Sequence, residues 1–86
     1  QNYPNPFNPT TKINYHLPNA GFVTLKVYDV LGKEIVTLVN EEKLAGTYEV
    51  IWNGKNNSGN NVSSGIYFAR IQANQQFKNL KLMLLK

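Results

Sequence analysis

Residues 52–68 have the sequence WNGKNNSGNNVSSGIYF, and this stretch decides the fold class. Its middle is rich in glycine, asparagine and serine, which favour turns. The segments on either side alternate polar with aromatic or β-branched residues, as half-buried strands do. We therefore interpret the stretch as a connection between two β-strands and not as a catalytic site.

The same alternation continues over the rest of the chain, and no window has the apolar spacing of a helix. Strands are predicted at residues 11–17, 22–30, 34–39, 47–52, 65–73 and 76–85, with a polar connection at residues 40–46. Six or seven short strands at this spacing predict an all-β fold, an immunoglobulin-like antiparallel β-sandwich of about seven strands. A small barrel is the alternative.

The sequence does not define which face of the third predicted strand is buried. The strand is apolar at Ile35, Val36, Leu38 and Val39, so alternation does not say which face is buried. In the neighbouring strands the inward residues are clear. They are expected to be Ile13, Tyr15 and Leu17, then Val23, Leu25 and Val27, then Tyr48, Val50 and Trp52.

Length and composition allow one domain with its own core. The chain has 86 residues, of which 42% are hydrophobic and 16% are charged. It has no cysteine, which excludes disulfides and thiolate metal sites, so folding depends on packing. We divide the chain into a proline-rich lead-in from an upstream domain, residues 1–10, and the sandwich, residues 11–86. Tyr3 and Phe7 could anchor the lead-in against the sandwich.

Charge and hydropathy exclude two classes of partner. The net charge is +4, but the lysines are spread along the chain and form no basic run with interleaved aromatics. No segment approaches the ~18 apolar residues of a membrane helix. We expect no nucleic-acid partner, no stable membrane insertion, and a monomer.

Catalysis and metal binding are not expected. His16 is the only histidine, and it falls on the outer face of the first strand without a nucleophile and carboxylate beside it. Asp29 lies at a strand end, where it is expected to cap a turn. Residues 53–61 contain no Asp or Glu, so they suit calcium poorly. The predictions are no enzyme, no cofactor and no metal.

Two surfaces are candidates for binding. Exposed tyrosines could form a sugar-binding platform, at Tyr3, Tyr28, Tyr48 and Tyr67. The last strand, whose end reads KNLKLMLLK at residues 78–86, is apolar with flanking lysines. It is either an ordinary edge strand that its lysines protect from aggregation, or a strand that a partner recognises by β-augmentation. The sequence leaves both interpretations open.

Five segments together resemble a known family. They are NYPNPFNPTT at residues 2–11, VYDVLGKEI at 27–35, Trp52-Asn53-Gly54, Gly59, and VSSGIYF at 62–68. The chain resembles, over nearly its whole length, the type A C-terminal sorting domain of the type IX secretion system. It is also similar to the related immunoglobulin-like domain of flagellar hook-capping proteins.

The resemblance implies a sandwich at the end of a larger exported protein, which addresses that cargo to an outer-membrane translocon. In many members a sortase-like cell-surface peptidase removes the domain. The expected partners are therefore the translocon, the peptidase and the upstream cargo domain. The expected location is secreted or cell-surface, after passage through the periplasm. An accessory carbohydrate-binding module or a passive structural module of a secreted hydrolase is the alternative.

The resemblance also nominates residues for translocon recognition. They are two glycine–tyrosine pairs and the end of the last strand: Gly46, Tyr48, Gly65, Tyr67, Lys81, Leu82, Met83, Leu84, Leu85 and Lys86.

Overall fold

The computed structural model describes residues 10–85, and every regular element in that range is a β-strand. The all-β prediction is confirmed, with six strands where about seven were expected. They are β1 (Thr11–Leu17), β2 (Gly21–Tyr28), β3 (Glu34–Lys43), β4 (Gly46–Trp52), β5 (Gly65–Ala73) and β6 (Gln76–Leu84).

The strands form two antiparallel sheets. One sheet pairs β1 with β4, and the other has the order β3-β2-β5-β6. The two sheets do not join into one ring within residues 10–85, so the structure is the predicted sandwich and not a barrel. Strand β5 lies inside the larger sheet, because it pairs with β2 on one side and β6 on the other.

The core lies between the sheets and follows the alternation of the sequence. The predicted inward residues of β1 and β2 are buried, and those of β4 are buried or half-buried. Because alternate side chains of a strand point to opposite faces, each strand gives one row to the core. The buried set is Ile13, Tyr15, Leu17, Val23, Leu25, Val27, Val39, Trp52, Tyr67, Ala69, Ile71, Leu82 and Leu84.

Strand β3 differs from the prediction in length and in regularity. Residues 40–43, predicted as a connection, belong to β3 and pair with β2 residues 21–24. Two irregularities in the β2–β3 register lie at Leu25/Lys26 and Val27/Tyr28, where Leu38 and Ile35 have no direct partner on β2. A bulge inserts one residue and shifts the alternation, which explains why adjacent apolar residues all pack partly against the core.

The long loop between β4 and β5 covers the outer edge of β3. Asn57 N–H donates to the Ile35 carbonyl at 3.0 Å, and Thr37 N–H donates to Asn57 Oδ1 at 3.1 Å. Asn57 thus makes two hydrogen bonds to β3 of the kind that one residue of a further strand would make. An uncovered edge strand presents unpaired N–H and C=O groups to other chains, so Asn57 protects this edge from association.

The short turns have local causes in the sequence. Asp29 Oδ1 accepts hydrogen bonds from Leu31 N–H and Lys33 N–H, each at 2.9 Å, so its predicted role as a turn cap is confirmed. Asn74 and Gln75 have φ values of 52° and 65°, as the two central residues of a tight hairpin between β5 and β6 do.

Some predictions concern residues outside the described part. They concern the lead-in at residues 1–10, of which only Thr10 is described, and Lys86 at the end of the last predicted strand. The domain division therefore stays a prediction. Within the described range, no helix is long and apolar enough to cross a bilayer.

We predict that Asn57→Ala lowers the free energy of unfolding by about 1 kcal/mol, because it removes the hydrogen bond to Thr37 N–H. It should also speed aggregation, because the β3 edge becomes open. Urea unfolding and light scattering measure the two effects. Asn60→Ala is the control, since it changes the same loop at a side chain with no hydrogen bond among residues 10–85. Equal aggregation rates for the two variants would contradict the proposed edge protection.

Glu34 links the same edge to the outer face of the sheet. Its carboxylate pairs with Lys26 Nζ at 3.3 Å and accepts hydrogen bonds from Thr37 Oγ1 and Asn57 Nδ2. The hydrogen bond with Lys26, supported by that with Thr37, holds the pKa of Glu34 below its usual range.

A lowered carboxylate pKa stabilises the fold above the pKa of the unfolded chain, and the stabilisation is lost as pH falls through the folded value. Stability should therefore fall below about pH 4.3 more steeply in the natural chain than in Glu34→Gln. Thermal unfolding of both proteins between about pH 6 and pH 3 checks this. Parallel curves would show that Glu34 does not contribute.

Candidate recognition surface

Strand β6 contributes to the core and to the surface at the same time. Leu82 and Leu84 are buried, whereas Lys81, Met83 and Leu85 are exposed. Within residues 10–85 the strand pairs with β5 alone, so its other side is an edge of the sheet that these residues form. The described part of the nominated segment therefore offers three side chains to a partner, and Lys86 lies outside the described residues.

The first glycine–tyrosine pair lies beside this strand. Gly65 pairs with Leu84 and Tyr67 pairs with Leu82 across the β5–β6 ladder. Tyr67 is buried, and its ring packs in a T-shaped arrangement with the Trp52 indole, with 5.0 Å between the ring centroids. Its hydroxyl donates to the Ser63 carbonyl at 2.7 Å. A tyrosine that bonds the backbone four residues upstream at a strand start has the form of a tyrosine corner.

The second pair repeats this geometry. Tyr48 Oη donates to the Leu44 carbonyl at 2.5 Å, again four residues upstream, and its ring stacks on Tyr15 at 5.2 Å. In both pairs the glycine two positions before the tyrosine has a positive φ, 157° at Gly46 and 154° at Gly65. Residues with a side chain rarely adopt such values, so both glycines have a backbone reason to be glycine.

The two pairs do not form one surface. Gly46 lies opposite Leu17 at one end of the β1–β4 ladder, whereas Trp52, which contacts Tyr67, lies opposite Thr11 at the other end. Of the nominated residues, the structure brings together only Gly65, Tyr67 and the end of β6. The hydroxyls of both tyrosines are already bonded to backbone, which gives them a role in the fold.

A surface that the sequence analysis did not single out lies on the outer face of the larger sheet. Ile66 is directly opposite Met83, and Phe68 is directly opposite Tyr28. Ile66 and Phe68 are each 37% exposed and Met83 is 57% exposed. With Val30 these residues form what we call the outer patch: Tyr28, Val30, Ile66, Phe68 and Met83. The sequence contains one indication of this patch. Alternation assigns the neighbours of Ile66, Phe68 and Met83 to the core, so these three apolar residues must face outward.

The residues considered for catalysis or metal binding have structural surroundings. His16 is exposed, as predicted, with Nδ1 3.2 Å from Thr47 Oγ1. Residues 53–61 form a turn in which Asn56 Oδ1 accepts from Ser58 N–H and Asn60 N–H, each at 3.0 Å. Within residues 10–85, no three His, Asp or Glu side chains are grouped as metal ligands.

The tyrosines of the sugar-binding alternative do not lie in one row. Tyr67 is buried, Tyr48 is half-buried against Tyr15, and Tyr28 belongs to the opposite sheet from Tyr48. Tyr3 lies outside the described residues. A stacking platform needs ring faces side by side on one surface, so the described tyrosines do not supply one.

The fold and this surface define a small immunoglobulin-like β-sandwich that offers side chains on a sheet edge and a sheet face. The model of the FlgD Ig-like domain family matches residues 7–76, which is more than half of the chain. The chain belongs to this family. The immunoglobulin-like part of the resemblance is thus confirmed.

A solved structure supports the same assignment. The chain is similar to FlgD from P. aeruginosa with a TM-score of 0.70 and 28% sequence identity. The similarity covers 87% of this chain and 60% of that protein, so this chain spans less than two thirds of it. No curated protein matches the chain.

We predict that the two tyrosine hydroxyls stabilise the fold. Tyr67→Phe and Tyr48→Phe should each lower the free energy of unfolding by about 1 kcal/mol, because each loses one hydrogen bond to backbone. Tyr15→Phe should be neutral or stabilising, because the buried Tyr15 hydroxyl has no hydrogen-bond partner among residues 10–85. Urea unfolding of each variant gives the values.

The control is Tyr28→Phe, whose hydroxyl makes no hydrogen bond within the described residues and whose change should stay within about 0.5 kcal/mol. Equal values for Tyr67→Phe and Tyr28→Phe would show that the corner does not stabilise the domain.

Proposed function

We propose that this domain is a sorting module of the type IX secretion system, which its translocon recognises through the exposed residues of β6. The observation that carries the proposal is the alternation of β6, which presents Lys81, Met83 and Leu85 outward on an edge strand. The sequence resemblance to sorting domains supports it. On this proposal the domain is not an enzyme, and it is a substrate of the sortase-like peptidase.

The charge of Lys81 and the position of β6 at the sheet edge make this strand suitable for recognition by a partner. Lys81 has no ion pair within residues 10–85, so its ammonium group is available to a carboxylate of a partner. An edge strand also offers backbone N–H and C=O groups, which give affinity, while alternate side chains give specificity. The proposed setting is a cargo domain upstream, passage through the periplasm, and delivery outside the cell or to its surface.

A passive structural module is the second candidate, and family membership favours it. In this role the immunoglobulin-like sandwich, with its buried core, is a rigid unit that separates the segments on either side of it. No translocon would need to recognise it. The two candidates differ in whether exposed residues of β6 matter for export.

The test is export of a cargo fused upstream of the domain in a bacterium with the type IX system. Lys81→Gln combined with Leu85→Ser should reduce the exported fraction several-fold, because it removes the charge and the apolar side chain at the proposed contact. The matched control is Lys12→Gln combined with Ile51→Ser. These residues are a directly opposed pair, also exposed, on the outer face of the other sheet.

Both variants should unfold within a few degrees of the natural domain, since all four side chains are exposed. Undiminished export of the β6 variant, with an equal result for the control, would reject the sorting proposal and leave the passive module. Calorimetry against a panel of polysaccharides separates the carbohydrate-binding alternative, because neither a sorting module nor a passive module should release heat.

A further inference from the structure

The guanidinium group of Arg70 is held in one position on the outer face of the larger sheet. Its Nε donates to Asn79 Oδ1 at 3.2 Å, and its central carbon lies 4.5 Å from the centre of the Phe77 ring. Asn79 is directly opposite Arg70 on β6, and Phe77 is two residues away along that strand. Within residues 10–85, no hydrogen bond uses the two terminal nitrogens of Arg70, so these donors are available to a ligand.

Arg70 lies among other cations and has no carboxylate partner within residues 10–85. Lys26 is directly opposite it on β2, and Lys81 is diagonal to it on β6. Like charges directly opposite in a sheet are unfavourable, and Glu34 offsets only one of these three by pairing with Lys26. Glu42 is on the same face but lies toward the other end of the β2–β3 ladder from Glu34. An added anion at Arg70 is therefore electrostatically favourable.

Two open depressions of this face meet at Arg70 and Tyr28. One has a volume of about 420 Å³ and has Lys26 in its lining. The other has a volume of about 350 Å³ and includes Phe68 of the outer patch in its lining. Asp29 also lines the second depression, but its Oδ1 already accepts two N–H groups of the turn. The face thus places a fixed cation directly beside an apolar surface.

We propose that this face binds an extended acidic segment of a partner protein. A carboxylate of the segment pairs with the terminal nitrogens of Arg70, whose planar fork matches both oxygens of a carboxylate. Apolar side chains of the segment cover the outer patch. This inference does not depend on the sorting assignment, because the contact is centred on the face of β5 and not on the edge of β6.

The spacing of side chains on β5 sets the pattern of the segment. Arg70, Phe68 and Ile66 are alternate residues of one strand, so they lie on one face about 6.6 Å apart, which is twice the rise of an extended residue. An extended segment laid over this row has the same spacing between the side chains that face the sheet. Its facing positions are therefore acidic over Arg70 and apolar over the next two residues.

The composition of the face favours a protein segment over other anions. Aromatic residues, methionine and arginine are enriched where proteins contact each other, and all three kinds occur here in Phe68, Met83 and Arg70. A small anion such as phosphate would leave the outer patch exposed, although a contiguous apolar patch usually marks a binding surface. An acidic polysaccharide would need ring faces for its sugars, whereas Val30, Ile66 and Met83 offer aliphatic surface.

A second copy of the chain is a poorer occupant of this face. A two-fold contact would bring Arg70 and Lys81 of one copy close to the same residues of the other, and like charges at an interface are unfavourable. An acidic segment brings the opposite charge to both residues.

The first test is an NMR titration of the complete chain with a capped peptide of the pattern glutamate-serine-leucine-serine-leucine. The Arg70 Nε–H signal and the amide signals of Phe68 and Ile66 should shift, whereas those of Asn14 and Glu49, on the outer face of the other sheet, should not. The matched peptide with glutamine in place of glutamate should bind several-fold more weakly. Equal binding of the two peptides, or no shift at millimolar peptide, would overturn the proposal.

The second test changes the cation. Arg70→Gln should weaken binding of the glutamate peptide about three- to tenfold, and Arg70→Lys, which keeps the charge but not the planar fork, should weaken it less. Lys12→Gln removes an exposed charge from the other sheet and should bind as the natural chain does. Thermal unfolding checks that each variant is folded, which is expected because Arg70 is exposed.

Two results of the second test would contradict the proposal. Equal affinities of Arg70→Gln and Lys12→Gln would show that Arg70 does not hold the carboxylate. Tighter binding of polygalacturonate or of inorganic phosphate than of the glutamate peptide would reject a protein segment as the occupant. Neither result bears on export, which is measured with different variants.

Discussion

The position of the Trp52 side chain is the constraint on which the other parts of this fold depend. The indole is fully buried at the end of β4, its Nε1–H donates to the Lys55 carbonyl at 3.0 Å, and its ring meets Tyr67 of β5. One side chain thus joins the smaller sheet, the long loop and the larger sheet. A buried indole has a large apolar area and one N–H donor that needs an acceptor. The turn after β4 must therefore place a backbone carbonyl within hydrogen-bonding distance of Nε1.

That requirement explains the asparagine-rich loop. Asn53 Oδ1 accepts from Lys55 N–H at 3.2 Å, which helps hold the turn that places the Lys55 carbonyl. Farther along, Val62 N–H donates to the Gly54 carbonyl at 3.0 Å and closes the loop before β5. Between these points Asn57 reaches the edge of β3. The loop is therefore a structural part of the sandwich whose polar side chains serve backbone groups.

Strands with one buried face were predictable from sequence, and the strand with bulges was not. The bounds of β1 and β5 were predicted to the residue, because strict alternation fixes both length and facing. In β3, alternation is broken by bulges, and its polar end is held in the sheet by pairing with β2. Pairing of that kind overrides local composition, so residues 40–43 carried no signal that a single sequence could show.

The candidate site was less predictable, for a geometric reason. A glycine followed two residues later by a tyrosine has the same spacing whether the ring faces a partner or its own strand. Only the hydrogen bonds to Ser63 and Leu44 distinguish these cases. The outer patch was missed for a related reason. Strands β5 and β6 have apolar residues on both faces, but the sequence did not show that Ile66, Phe68 and Met83 would be neighbours.

The alternation of β6 also limits how recognition can work. Leu82 and Leu84 pack in the core, whereas Lys81, Met83 and Leu85 are exposed, so one short segment serves the fold with one row of side chains and any partner with the other. Removing residues 81–86 would take away both core leucines and would unfold the domain as well as erase a contact. A loss of function after such a truncation therefore cannot distinguish recognition from folding. Only changes confined to the exposed row separate the two, because they leave the packing around Trp52 intact.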